Sequence, residues 1–414
     1  MYEKGVSAII RDDAKAVIDA ALLAAQPDIA VKKALAEMPS YTGKLVLVAI
    51  GKAAWQMAKE AYDELLKKID DGIVITKHGH SKGEIGRLKI REAGHPVPDE
   101  YSYSATAEAI DLVKNLGKED MVLFLISGGG SALFEKPLID EEELQSITRT
   151  LLECGAGITE INSIRKRFSA VKAGKFAKIC SPAHVFSVVL SDIIGDPLDM
   201  IASGPSYPDS VTADEAMHIA EKYNLPLSDR AKALIKEETP KVLYNVSAKI
   251  TGSVKQLCLT AQRVLEEKGY ETVIVSDSID CEAKEAGKMF VSLAKKYVGC
   301  DKNVALIGGG ETVVQVTGNG LGGRNQEASL AAAKEMDGLK NVLFFSLGSD
   351  GTDGPTDVAG GIVDGLTAEK IGNVNQYLQN NDSYHALQKA DALIFTGPTG
   401  TNVNDLMCML IKNN

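Results

Sequence analysis

The chain has 414 residues, of which 45% are hydrophobic and 24% charged, the balance of a globular protein with apolar material for a full core. Lys and Arg number 45 against 56 Asp and Glu, a formal net charge of −11, which excludes bulk attraction to nucleic acid or an anionic membrane. Any phosphate must be met locally, by a few placed groups.

At about 150 residues per domain, this length predicts two domains. The opening MYEKGVSAIIRDDAK has no apolar signal-peptide core, and no window reaches the ~18 uninterrupted apolar residues of a membrane span. A cytoplasmic location is expected, with small-molecule partners, no nucleic acid and no membrane; a homo-oligomer is left open. Six cysteines, at 154, 180, 258, 281, 300 and 408, include no C-x-x-C pair. They read as small buried hydrophobes in a reducing compartment.

In chain order, residues 12–38 show helical periodicity, with apolar positions at 17, 18, 21, 22 and 25. Residues 46–50 (VLVAI) run into Gly51-Lys52, and a helical segment follows over 53–69. After another over 101–116, residues 122–126 (VLFLI) run into Ser127-Gly128-Gly129-Gly130-Ser131, ahead of a helix over 140–152. Residues 185–190 (VFSVVL) run into Ser191-Asp192. Residues 205–240 hold four prolines, short helical pieces and no buried strand, so the domain cut falls near 240, giving 1–240 and 241–414.

A new strand–helix series starts at 245–251, with helices over 253–267 and 281–298. Residues 304–307 (VALI) run into Gly308-Gly309-Gly310-Glu311, and 312–317 read as the second strand of a hairpin. Residues 342–347 (VLFFSL) run into Gly348-Ser349-Asp350-Gly351-Thr352-Asp353-Gly354. The segment 404–411 reads as a short apolar helix packing back on the first domain. Four- to six-residue apolar runs bounded by glycine are the buried strands of a parallel sheet. Alternating with helices through crossovers, they predict an α/β architecture.

In such sheets ligands sit outside the carboxyl ends of the strands. The loop Ser127–Ser131 has more glycine than a single turn requires, and glycine lets backbone N–H groups approach an anion. Lys52 stands at a strand end and helix mouth, where a cation can neutralise phosphate. Arg324 opens a helix, at the positive end of its dipole, a poor place for a cation unless it serves an anion. Asp192, Glu311, Asp350 and Asp353 all follow strands, and such hard oxygen ligands suit Mg²⁺ carried by a nucleotide. Loss of either cation is expected to leave folding nearly unaffected, as for surface groups in general.

Standard fingerprints are missing. No Walker A pattern, G-x-S-x-G elbow, H-R-D or D-F-G occurs. Gly318-Asn319-Gly320-Leu321-Gly322-Gly323 satisfies G-x-G-x-x-G, but in a hairpin context rather than the βαβ unit of a dinucleotide site. His78 and His80 lack further ligands at zinc spacing; His95 is a candidate cleft residue.

Taken together, G-K-A-A (51–54), E-A-G-H-P-V-P-D (92–99), S-G-G-G-S-A-L (127–133), S-D-I-I-G-D-P (191–197), G-G-R-N-Q-E (322–327), G-S-D-G-T-D-G (348–354) and T-G-P-T-G-T-N-V-N-D-L (396–406) carry a resemblance over nearly the whole chain. It resembles the class II glycerate kinases, whose C-terminal half is called the MOFRL domain. The resemblance implies a Rossmann-like, doubly wound, mainly parallel first domain and a smaller mixed-sheet α/β second domain, with an interdomain cleft. It implies ATP-dependent phosphorylation of D-glycerate, most often at the 2-hydroxyl. By position, Lys52 and Arg324 match the family's active-site cations, and Asp192 would orient the metal or the attacking hydroxyl. Substrate and nucleotide would meet Ser127, Gly128, Gly129, Gly130, Ser131, His95, Glu311, Asn325, Asp350 and Asp353. Mg²⁺ would fall to Asp192 or Asp350. Two rivals are an NAD(P)-dependent hydroxypyruvate reductase and a non-catalytic nucleotide- or sugar-phosphate-binding regulator.

Overall fold

A computed structural model describes residues 2–413. The first six strands are β1 (Leu45–Ile50), β2 (Asp71–Lys77), β3 (Lys89–Ala93), β4 (Met121–Ile126), β5 (His184–Leu190) and β6 (Val246–Gly252), in the order β3-β2-β1-β4-β5-β6. The pairs from β3 through β5 are all parallel. Every residue of β1 and of β4 is buried, because helices cover both faces; that is why these strands read as unbroken apolar runs. The order is the doubly wound one, reversing between β1 and β4, so the carboxyl ends of those two strands open the crevice where such folds bind ligands.

Val31–Ser191 and Asp196–Thr251 make up this compact unit. Phe124, Phe134 and Phe176 pack at its centre, with ring centroids 4.8 to 5.9 Å apart. A helical side cluster buries Leu151, Ile164, Phe168 and Ile235. The proline-rich stretch supplies two of its helices, Ala213–Lys222 and Asp229–Lys236. It is an insertion on this unit.

The second unit takes the chain up to Ala30, the short segment Asp192–Gly195 and everything from Gly252. Its strands are β7 (Glu271–Ile279), β8 (Val304–Gly310), β9 (Val342–Gly348), β10 (Gly360–Asp364), β11 (Leu393–Ile394) and β12 (Asp405–Ile411), ordered β11-β10-β9-β12-β8-β7. Only β7 and β8 pair in parallel; the other pairs are antiparallel. This is the mixed sheet expected.

Three local expectations need correcting. Residues 404–411 are not a helix: β12 is a fully buried strand inserted between β8 and β9. A short apolar run carries no period that separates the two states, and seven residues is a strand's length. Residues 312–317 form no hairpin strand; apart from a bridge between Val313 and Glu282 the segment is irregular. The helix expected over 12–38 is two, Tyr2–Ala24 and Pro27–Leu35, with Pro27 at a first helical position that suits its fixed φ.

The first of those helices lays Ile10, Ala14, Val17 and Ala21 into one core with Val254, Leu257, Ala261 and Leu265. Its buried Asp13 accepts from Tyr270 Oη at 2.9 Å and pairs with Lys268 at 3.0 Å and Lys412 at 3.3 Å. The N-terminal helix thus belongs with the C-terminal sequence, whereas the reading by chain order placed it in 1–240. All six cysteines are free; Cys180, Cys258 and Cys408 are buried, while Cys154 and Cys281 are exposed, against expectation.

Candidate active site

In the first unit, the loops after β1 and β4 cross at the switch point. Gly51 has φ +112, and a Cβ there would fall 2.2 Å from Ser127 Oγ, so only glycine permits the crossing. Ser127 is buried and locks the crossing. Its N–H donates to the Ile50 carbonyl at 3.0 Å, and its hydroxyl accepts from Ala53 N at 3.1 Å. The Lys52 N–H donates to the Gly128 carbonyl at 2.9 Å. The serines of the loop are therefore engaged within the protein. Ser131 shares a 2.8 Å hydrogen bond with Ser203, and its carbonyl accepts from the buried Lys172 ammonium at 2.6 Å.

What remains open is the pair of N–H groups of Gly128 and Gly129, which have no partner among the described residues. Around them stand Lys52 and His95. A Cβ on Gly129 (φ +84) would lie 2.9 Å from the His95 ring and 3.2 Å from Lys52 Cε. The Lys52 ammonium forms no ion pair among the described residues. Burial, with the charges of Lys52, Lys77 and His80, holds the His95 imidazole below its ordinary value. Two open amides, a lysine without an ion pair and an imidazole held below its ordinary pKa are groups that suit a small oxyanion.

The electrostatic claim has a direct check. In Lys52→Met the repulsion on a protonated His95 disappears, so its pKa, followed by NMR titration of the ring protons, is expected to rise. An unchanged or lower value would separate His95 from Lys52.

In the second unit the helix Arg324–Glu335 begins after Gly323, which offers no side-chain cap. Asp353, in the loop after β9, caps it from a distance. Its carboxylate accepts from Asn325 N at 3.1 Å, Gln326 N at 2.9 Å and Gln326 Nε2 at 2.9 Å. Burial pushes the Asp353 carboxyl up in spite of these bonds. Asn325 is itself buried, bonded to Asp353 and to Ser346. Both residues take part in the helix cap, and Asp353 also lines the cavity described below.

Arg324 is held in a fork. Its Nε and Nη2 meet Asp405 at 2.7 and 3.0 Å, and Nη1 meets Glu311 at 2.8 Å. Asp405 is fully buried at the first position of β12, and burial pushes its carboxyl up to about 6 against the pull of Arg324. Burial alone would lower the guanidinium; Asp405 and Glu311 outweigh it and raise it. Arg324 is therefore no loose surface cation. The expectation that its loss spares folding fails, because Asp405 would be left buried without its partner.

A cavity of about 800 Å³ opens over this fork, lined among others by Glu311, Arg324, Asp350, Asn404 and Val316, a volume that suits a small-molecule ligand. Asp350 is half-exposed and accepts from Thr352 N at 3.0 Å. The Asp192 carbonyl accepts from Asn404 Nδ2 at 3.2 Å. Sequence reasoning missed Asp405, Asn404 and Lys172. The first two lie inside a quoted motif, but the helix assigned there hid them; Lys172 carries no local signal.

Comparisons with known proteins bear on the family and the fold. A model for a domain of unknown function, DUF4147, matches residues 13–236, and the MOFRL family model matches residues 304–405. A Thermotoga maritima protein named D-glycerate 2-kinase is 51% identical over 405 residues, covering 95% of this chain and 97% of that one. A Pyrococcus horikoshii protein named glycerate 2-kinase is 39% identical, covering 90% and 88%. A crystal structure of glycerate kinase from Thermotoga maritima superposes with a TM-score of 0.93 at 50% identity, covering 97% of this chain and 99% of that one. Fold and relatives together define an α/β phosphotransferase built from a doubly wound unit and a mixed-sheet unit. The chain belongs to the glycerate 2-kinase family.

Proposed function

We infer that the protein transfers the γ-phosphoryl group of ATP to the 2-hydroxyl of D-glycerate, giving 2-phospho-D-glycerate and ADP. The observation that carries this reading is the open pair of amides at Gly128 and Gly129, beside an unpaired Lys52, in a chain related end to end to proteins of that name. The hydroxyl oxygen attacks the γ-phosphorus, the bond to the ADP oxygen breaks, and the hydroxyl proton leaves to a base. Phosphoryl transfer asks for positioning and charge neutralisation rather than covalent chemistry. Lys52 and Arg324 are assigned to the charge, the glycine amides to an oxyanion, and Asp192 to the hydroxyl.

No group of three or more His, Cys, Asp or Glu side chains poised for a metal occurs among the described residues. Mg²⁺ brought by a nucleotide takes one or two carboxylates with phosphates and water. Asp192 and Asp350 would hold it, and it would screen the phosphate charge. No helix among the described residues is long and apolar enough to cross a membrane.

The reductase reading loses the support of its glycine motif. The glycines of the G-x-G-x-x-G loop pack on their own chain: a Cβ on Gly318 would strike the Asn380 backbone at 2.4 Å, and one on Gly320 would meet Asp382 Cβ at 2.4 Å. They are small because Asn380–Asp382 lies against them, not because a pyrophosphate does. The assay pairs ADP release from ATP with NADH oxidation by hydroxypyruvate. ADP release that requires D-glycerate is expected; hydride transfer without it would replace this reading, and ATP binding without turnover would favour a regulator.

A further inference from the structure

The cavity in the second unit has two unlike ends. Arg324, Glu311 and Asp350 make one end charged; the other is the irregular segment 313–316 leaving β8. Val313 and Val316 both line the cavity, although they are 55% and 75% exposed. A single exposed valine means nothing. Two on one fixed segment at the wall of a ligand-sized cavity offer apolar surface to whatever enters.

The segment is anchored at both ends. Val313 N donates to the Cys281 carbonyl at 3.1 Å and Ala283 N to the Val313 carbonyl at 2.9 Å. Beyond it, the Asn381 side chain donates to the Gln315 carbonyl at 3.2 Å and accepts from Thr317 N at 2.8 Å. In between, the N–H and carbonyl groups of Val314 and Val316 have no partner among the described residues. Anchored backbone with open donors and acceptors, flanked by valines, is complementary to the edge and face of a flat heterocycle.

Of the two substrates inferred above, only ATP has such a part. Every carbon of glycerate carries oxygen, and a phosphate has no use for valine. We propose that the adenine ring of ATP lies on residues 313–316. Its exocyclic amine donates to a backbone carbonyl of that segment, a ring nitrogen accepts from a backbone N–H, and Val313 and Val316 cover its face. The proposal rests on ATP being the donor and adds where its base is read.

The test is calorimetric binding of ATP and of inorganic tripolyphosphate, which lacks the base. The proteins are wild type, Val313→Ala/Val316→Ala, Val316→Asp and, on the other unit, Val97→Ala. The double alanine variant is expected to bind ATP about tenfold more weakly, equivalent to ~1.4 kcal/mol, and Val316→Asp more weakly still. Tripolyphosphate binding and the KM for D-glycerate should stay unchanged in both. Equal losses for both ligands, undiminished ATP binding, or a loss confined to Val97→Ala would overturn the assignment. Wild type that binds ATP through this segment yet never phosphorylates glycerate would sink the kinase reading and leave the base site standing.

Discussion

Arg324→Ala is expected to lower kcat about 10³-fold or more, the scale for loss of an arginine that stabilises a transferring phosphoryl group. KM should change far less, because charge on that group is met mainly in the transition state. Arg324→Lys should recover only part of the loss, since one ammonium cannot reproduce a planar fork already holding Asp405 through two nitrogens. Stability changes too, with a pH signature. The Asp405 carboxyl binds its proton more tightly folded, at about 6, than unfolded, near 3.8. Its contribution to stability therefore falls as pH rises through that window. Without Arg324 the folded pKa rises further and the fall extends to higher pH. Melts of Arg324→Ala should approach wild type near pH 5 and diverge toward pH 8. Wild-type kcat, or melts that diverge toward low pH instead, would return Arg324 to an ordinary helix-start residue.

The second large effect belongs to a residue buried behind the glycine loop. Lys172 is 1% exposed and Glu135 2%, with Nζ and Oε2 3.4 Å apart. Burial lowers the lysine's pKa. Its ammonium donates to the Ser131 carbonyl at 2.6 Å and reaches the Phe134 carbonyl at 3.5 Å. It thereby ties the short helix Gly130–Leu133, and the glycine loop before it, to the rest of the unit. Lys172→Met leaves Glu135 buried and unpaired, which costs about 3–5 kcal/mol. For a unit of this size the melting temperature should drop by roughly 10 °C. Lys172→Met/Glu135→Leu should regain most of that stability, because replacing both charges removes the desolvation penalty. It should still raise KM, the loop having lost its tie. A single variant within ~1 kcal/mol of wild type, or a double variant as unstable as the single, would show that the pair is not what holds the loop.

The doubly wound sheet was legible because β1, β4 and β5 are buried on both faces and so read as unbroken apolar runs ending in glycine or serine turns. β3 was not, since three of its five residues, Lys89, Arg91 and Glu92, are charged and interrupt the apolar run at an edge. β12 was mistaken for a helix because LMCMLI has no period, and only its neighbours β8 and β9 decide its state. The same error hid Asp405. Lys52, Arg324 and the glycine loop were visible as chemistry out of place: cations at helix starts and more glycine than turns require. Local sequence could not tell which groups of the loop face a ligand. Ser127 and Ser131 look like ligands in the sequence and are bonded within the protein, while the open groups are featureless backbone amides. Asp353 both caps a helix and lines the cavity, and Asn325 is bonded to it, because capping and ligand binding draw on the same donors and acceptors.

Product identification reaches the central claim most directly. Wild-type protein is incubated with ATP, Mg²⁺ and D-glycerate, and the product is read by ³¹P NMR with proton coupling. A phosphorus coupled to the single C2 proton, appearing with one ADP per phosphate transferred, is the result this account predicts. Coupling to the two C3 protons, or ADP formed with free phosphate and unchanged glycerate, would contradict it.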